Sequence, residues 1–226
     1  MRLYVTVVNI LHPWNPYPMG QATTSRDRAK PYHHGALRAT LIEAGIALAR
    51  EGGPDRVILR EAARAAGVTH SAAYRHFAAR EALLAEVAHH ARQALASEMR
   101  HQAARTNDPR LRLRAVGTAY VHFALAEPGL FRTAFIAYPP APELPPVALP
   151  TEECGPFEVL GQVLDEAQTA GLLNPIRRPG AEIAAWSAVH GLAGLLLDGP
   201  LPTTPENIED SLERVLDAIE RGLLTL

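Results

Sequence analysis

The sequence predicts an all-α protein: an N-terminal three-helix head containing a helix-turn-helix, followed by a larger helical bundle. Three observations predict it. Aromatic residues make up only 6% of the chain while Ala is abundant, so the residue types that build sheets are scarce. The 19 Pro and 16 Gly fall mainly between stretches in which apolar residues recur every three or four positions, the repeat of a helix with one buried face. Two short helical segments also meet at a single glycine, Gly67, as two helices joined by a tight turn would. With 47% hydrophobic residues in 226, there is ample material for a core, in one large domain or in a small one fused to a larger.

The pair around Gly67 organises the rest. Leu59 to Ala66 is made of strong helix formers, Gly67 supplies the positive φ that ends a helix without steric cost, and Val68 points back inside. Thr69 can cap a new helix. On it Ala73 and Phe77, at i and i+4, share the inner side, while His70, Ser71, Tyr74 and Arg75 face elsewhere. A helix that reads DNA must be slim enough for a major groove about 12 Å wide and must be braced from behind. Ala72 and Ala73 keep this one slim. Thr69, Tyr74, His76 and Arg80 are of types that bond phosphate, and His70, Ser71 and Arg75 could reach base edges. On spacing alone, plain core packing of an Ala-rich helix pair is the alternative.

The run Gly67-Val68-Thr69-His70-Ser71-Ala72-Ala73-Tyr74-Arg75-His76-Phe77, followed by Arg80-Glu81-Ala82-Leu83-Leu84, resembles the DNA-binding segment of the tetracycline-repressor (TetR) family of bacterial transcription factors. In that family the third helix ends aromatic-x-His-Phe and the fourth opens with Lys or Arg. The resemblance extends upstream through Tyr32, Arg38, Ala44 and Gly53. It implies that Tyr74, His76 and Arg80 grip phosphates and that His70, Ser71 and Arg75 sit nearest the bases. Two positions depart from the family. Ile58 stands where a Ser or Thr usually caps the second helix, and Ala62 is smaller than the usual Ile or Val.

The charge follows the same division. Residues 20–80 carry ten Lys or Arg against five Asp or Glu, and residues 81–226 carry eleven against nineteen, within a net charge of -2. A basic segment ahead of an acidic body suits a DNA-binding head, because only the head has to displace counterions from phosphate. Chance clustering of a few charges is the plainer account. The single cysteine, Cys154, leaves no internal disulfide and no thiolate zinc cluster, which fits a reducing cytoplasm.

In chain order, residues 1–30 read as a poorly ordered extension. Its apolar part is interrupted by Thr6 and Asn9 and lacks the cleavage site of a signal peptide, and Met19 is an alternative start. Gln21 to Lys30, with Arg26, Arg28 and Lys30, is either an arm that lies along DNA or a free tail. Leu37, Leu41, Ala44 and Leu48 stripe the first helix of a head spanning 31–80. His33 and His34 point apart and lack a third ligand, so no metal is expected.

The body, 81–226, begins within a long helix from Arg80 to about Arg105 whose seam runs Leu83, Val87, Ala91, Leu95 and Met99, the natural lever between the two parts. Asp108-Pro109 opens a helix to Ala126 carrying Leu111, Leu113, Val116, Tyr120 and Phe123, and Glu127-Pro128-Gly129 breaks it. Phe123, Phe131, Phe135 and Tyr138 then concentrate aromatics in one span, as core filling or as the wall of a ligand pocket. Tyr138 to Pro150 holds six prolines and reads as a surface loop. Pro156 restarts a helix to Ala170.

Ile183 to Leu197 is apolar nearly all round yet, at fifteen residues, too short to span a bilayer, so a partner subunit is its expected second cover. Thr204-Pro205 opens the last helix, striped by Leu212, Leu216, Ile219 and Leu223. Two such helices from each of two chains would make a four-helix dimer interface. Trp186, His190 and Gly191 resemble the Trp-His-Gly signature of one TetR-family C-terminal class. His190 is then either a satisfied buried histidine or a polar ligand contact.

These readings converge on a cytoplasmic, homodimeric regulator, a repressor released by a small apolar effector from a near-palindromic duplex operator, with no cofactor, metal or membrane partner. Phe123, Phe131, Phe135, Trp186 and His190 are the expected effector contacts. An enzyme is disfavoured by the lack of a Gly-x-Ser-x-Gly, a phosphate loop or a paired metal motif. A helical protein-interaction module that does not bind DNA is the remaining alternative, separable by salt dependence.

Overall fold

A computed structural model describes residues 34–136 and 155–224. The helices are α1 (His34–Gly52), α2 (Leu59–Ala65), α3 (His70–Tyr74), α4 (Arg80–Ala103), α5 (Pro109–Ala126), α6 (Pro128–Ala134), α7 (Pro156–Thr169), α8 (Ala181–Leu197) and α9 (Pro205–Leu223). Single 3-10 turns at Pro54–Arg56 and Pro175–Arg177 and one isolated bridge between Leu173 and Leu224 complete the described residues. The extension 1–30 with its arm at Gln21–Lys30, His33, Tyr138, the loop to Pro150 and Cys154 lie outside the described residues.

Local chemistry sets the boundaries. Asp108 caps α5 by accepting from the Arg110 amide at 2.8 Å, and Thr204 caps α9 by accepting from the Asn207 amide at 3.4 Å, each with Pro at the next position. α2 starts at Ile58 with no side-chain cap, as its departure from the family pattern implies.

α4 is the spine. Its seam residues Leu83, Val87, Ala91 and Leu95 are all fully buried, and the helix packs on α1, α5, α6 and α7. Leu111, expected in the α5 seam, is instead 50% exposed. The inward residues Leu113, Val116, Tyr120 and Phe123 keep a three-to-four spacing, and a residue two positions before Leu113 falls about 200° round the helix from it.

α8 buries Ala185, Val189, Leu192, Ala193 and Leu196, while Ile183, Ser187, Gly191, Gly194 and Leu195 of its opposite face stay exposed. Beside it, α9 buries Leu212, Leu216 and Ile219 and exposes Ala218 and Gly222. The helix expected to need cover all round therefore has one face covered within the chain and one small, apolar face left open.

Candidate functional site

The turn between α2 and α3 is closed by backbone bonds from the Gly67 amide to the Arg64 carbonyl (3.2 Å) and from the Val68 amide to the Ala63 carbonyl (3.0 Å), with Gly67 at φ 70°. Thr69 caps α3, its Oγ1 accepting from the Ala72 amide at 3.3 Å. Ala73 and Phe77 are buried behind the helix. The Phe77 ring is covered by the Arg38 guanidinium at 5.2 Å, and Arg38 is paired with Glu86 of α4 at 2.6 Å. Phe77, just after α3, is thereby tied to α1 and through Arg38 to α4, while α3 itself packs on α2.

α3 ends at Tyr74, short of the Phe77 expected on it, but bonds from the His76 and Phe77 amides to the Ala73 carbonyl, both 3.0 Å, carry the turn through to Phe77. Thr69, His70, Ser71, Tyr74 and Arg75 lie exposed on one continuous ridge, and His76 is half-buried at its end. His70 meets the Tyr74 ring edge-on at 4.5 Å, which steadies both rings, and Tyr74 remains 46% exposed.

Arg80 is engaged within the head. Its Nε donates to the Val57 carbonyl at 2.8 Å and its Nη2 to the Pro54 carbonyl at 2.6 Å, with Asp55 4.0 Å away. The guanidinium braces the start of α4 against the 3-10 turn; the phosphate grip implied by resemblance would have to use what is left of it.

In the body, α4, α5, α7, α8 and α9 enclose a narrow cleft with about 480 Å³ of free space counted out to its mouth. Met99, Tyr120, Phe157, Trp186 and Leu216 contribute to its apolar walls, one from each helix, and Arg114 and Glu220 form a polar end. Of the five expected effector contacts only Trp186 lines this cleft. Phe131, Phe135 and His190 stand behind it as a ring cluster, with centroids 5.2 Å apart for Phe131 and Phe135 and 5.7 Å for Phe135 and Trp186. Phe123 is a core residue of α5 that lines neither.

Tyr120 and Phe157 were not singled out from sequence, and Tyr120 is the hub. Its hydroxyl accepts from Trp186 Nε1 at 2.8 Å and meets His190 Nδ1 at 2.8 Å. Burial pushes the Tyr120 phenol up, so it keeps its proton, and pushes His190 down, which favours the neutral imidazole. The phenol hydroxyl thus joins indole to imidazole, with the direction of its bond to Nδ1 set by the imidazole tautomer. His190 is not sealed in: one side of its ring is exposed while Nδ1 faces Tyr120.

α6 joins this cluster to the head. It carries Phe131 in the cluster, while at its start a Cβ on Gly129 would lie 2.1 Å from the Ala49 carbonyl oxygen in the last turn of α1. Arg50 Nε reaches Glu127 Oε2 at 3.2 Å across the same contact. Nearby, His90 is held below its ordinary range by burial and by Arg50.

Among the described residues no three metal-ligating side chains are grouped, and no helix is long and apolar enough to cross a membrane. An exposed polar helix, braced on a three-helix head and joined by a long helix to a bundle with its own cleft, defines a helix-turn-helix DNA-binding regulator. Residues 41–87 match the family of bacterial regulatory proteins, tetR family, and residues 113–219 match the tetracyclin repressor-like C-terminal domain. The chain belongs to the TetR family of transcriptional regulators.

Among solved structures, a protein of unknown function from Rhodococcus sp. RHA1 is 30% identical, with 87% of this chain and 100% of that one covered and a TM-score of 0.69. A putative TetR-family regulator from Shewanella sp. PV-4 is 16% identical over 84% and 99% of the two chains, with a TM-score of 0.62. One from Marinobacter aquaeolei VT8 is 19% identical over 85% and 97%, with a TM-score of 0.59. These last two share the fold. No protein of curated function matches the sequence.

Proposed function

We propose that this regulator is a homodimeric repressor in the cytoplasm, with a head at 31–80 and a body at 81–226, that leaves its operator when a small, largely apolar molecule enters the cleft. The exposed ridge of α3, backed by fully buried Ala73 and nearly buried Phe77, carries the reading. Each subunit places α3 in a major groove, with His70, Ser71 and Arg75 nearest the bases and Thr69, Tyr74 and His76 on phosphates. The two-fold partner reads a second half-site about one helical turn away, ~34 Å. The open apolar face of α8, with Ala218 and Gly222 of α9, supports pairing through the two C-terminal helices. The meeting of Trp186 and His190 on one hydroxyl supports membership of the Trp-His-Gly class.

Duplexes selected from a random pool by the purified protein provide the operator for a gel-shift test. Retention is expected to weaken steeply from low to moderate salt, which separates DNA binding from a protein-interaction module. It is expected to disappear in the Tyr74→Ala, His76→Ala double variant while the dimer persists. Retention that survives the double substitution overturns the docking.

A further inference from the structure

Among the described residues, Glu61, Glu158 and Glu220 each have a buried carboxylate oxygen without a hydrogen-bond partner, and of these only Glu220 lines the cleft. Its Oε2 accepts from Arg114 Nη1 at 3.0 Å, and its Oε1 accepts from nothing. Only 16% of the Glu220 side chain is exposed, so water offers little compensation, and an acceptor buried without a donor is expensive. Arg114 is shared, because the same Nη1 also bonds Asp217 Oδ1 at 2.8 Å. Asp217 is also paired with Arg221 at 3.3 Å and does not line the cleft, so what the cleft itself meets at this end is the Arg114 and Glu220 pair with one carboxylate oxygen left without a donor.

These features select a ligand chemistry. A donor head satisfies Glu220 Oε1, and a cationic donor makes the stronger, charge-assisted bond to a carboxylate; an anionic head brings a second acceptor to an oxygen that lacks a donor. Away from that end, the flat faces of Phe157 and Trp186, whose centroids are 5.5 Å apart, suit an aromatic or alkyl body. We propose that the cleft takes an apolar molecule carrying one hydrogen-bond donor, a protonated amine best of all, with the donor on Glu220 Oε1 and the apolar body against Phe157 and Trp186. This rests on the cleft being the effector site.

The test uses three probes of one body: 4-phenylbutylamine, 4-phenylbutanol and 4-phenylbutanoate. They are titrated into the full-length dimer carrying Trp14→Phe, which leaves Trp186 as the only tryptophan reporter, with calorimetry alongside. The amine is expected to bind roughly tenfold tighter than the carboxylate, with the alcohol between them. Glu220→Gln keeps an acceptor but removes the charge, and is expected to erase most of the amine's lead over the alcohol. Equal affinities, a preference for the carboxylate, or a ranking untouched by Glu220→Gln overturns the donor assignment while leaving the cleft as a binding site. If no probe alters Trp186 emission or releases heat, the cleft reading falls with it. Should Glu220→Gln fail to fold, the ranking in the Trp14→Phe protein decides by itself.

Discussion

Gly129→Ala places one methyl group into the contact between α6 and α1. The added Cβ would sit 2.1 Å from the Ala49 oxygen, 2.9 Å from the Arg50 oxygen and 3.1 Å from the Ala49 carbonyl carbon. All three are backbone atoms, which cannot rotate aside as a flexible side chain can. Ordinary contact begins at 3.4 Å, so the helices have to part by about 1.3 Å at this point, the difference between 3.4 and 2.1 Å. Overpacking of this kind typically costs about 1–3 kcal/mol. In a chain of this length each kcal/mol is worth about 2–4 °C, and melting is expected to drop by roughly 2–12 °C. Circular dichroism melts measure it, with Gly161→Ala as the control. Gly161 lies inside α7 with only the Glu182 Oε1 atom near its Cβ, at 3.4 Å, so there alanine is expected to hold or raise the melting temperature. If the two variants melt alike, the close approach of α6 to α1 is not as described.

Arg80→Ala removes two charge-assisted bonds to backbone carbonyls and is expected to destabilise the protein by about 2–4 kcal/mol in urea unfolding, whereas Arg75→Ala is expected to leave stability unchanged and weaken operator binding. Equal stability of the two would return Arg80 to the DNA surface. Tyr120→Phe leaves Trp186 Nε1 and His190 Nδ1 without their shared partner and is expected to cost about 1–3 kcal/mol by the same measurement; a neutral outcome would show that water replaces the phenol. Burial holds His190 and His90 below 6.5, so the unfolded chain takes up their protons at higher pH than the fold does. Their contribution is complete above about pH 6.5 and is lost as pH falls through the folded values, so unfolding midpoints are expected to fall on acidification, less steeply in His190→Gln. Leu195→Glu puts a charge on the open face of α8 and is expected to yield monomers in sedimentation experiments; an intact dimer would move the interface elsewhere.

The head was legible because its determinants are local. Gly67, the Thr69 cap and the Ala73 and Phe77 pair act over one or two turns, and sequence spacing carries that information directly. The bonds of Arg80 were not legible, because its partners, the carbonyls of Pro54 and Val57, are brought to it by the path of the chain and leave no side-chain pattern. Arg38 was legible as a position but not as the cover of Phe77, for the same reason. In the body the stripes of α4 and α9 were readable as periodicity, while Leu111 fell out of phase with its own helix. The aromatic concentration at Phe131 and Phe135 was real, yet it lies one layer behind the cleft. Trp186 and His190, one turn apart, were visible as a pair, but the hydroxyl that joins them comes from Tyr120, distant in sequence and counted there only as a seam residue.

On the proposed reading, that hidden partner is the body's route to the head. Tyr120 holds Trp186, a wall of the cleft, and its ring lies 5.5 Å from Phe131. Phe131 is two positions from Gly129 on α6, and a helix of seven residues, roughly 10 Å long, moves as a rigid piece. At its start, beside Gly129, the Ala49 carbonyl leaves no room for slack. On the proposed reading, a displacement of Trp186 that tilts α6 is passed through this close-packed contact to α1, whose Arg38 covers Phe77. Release of DNA needs a coupling of only about 1–3 kcal/mol between cleft and groove. By this reasoning Gly129→Ala, which forces the same contact apart without any ligand, is expected to lower operator affinity as well as melting temperature.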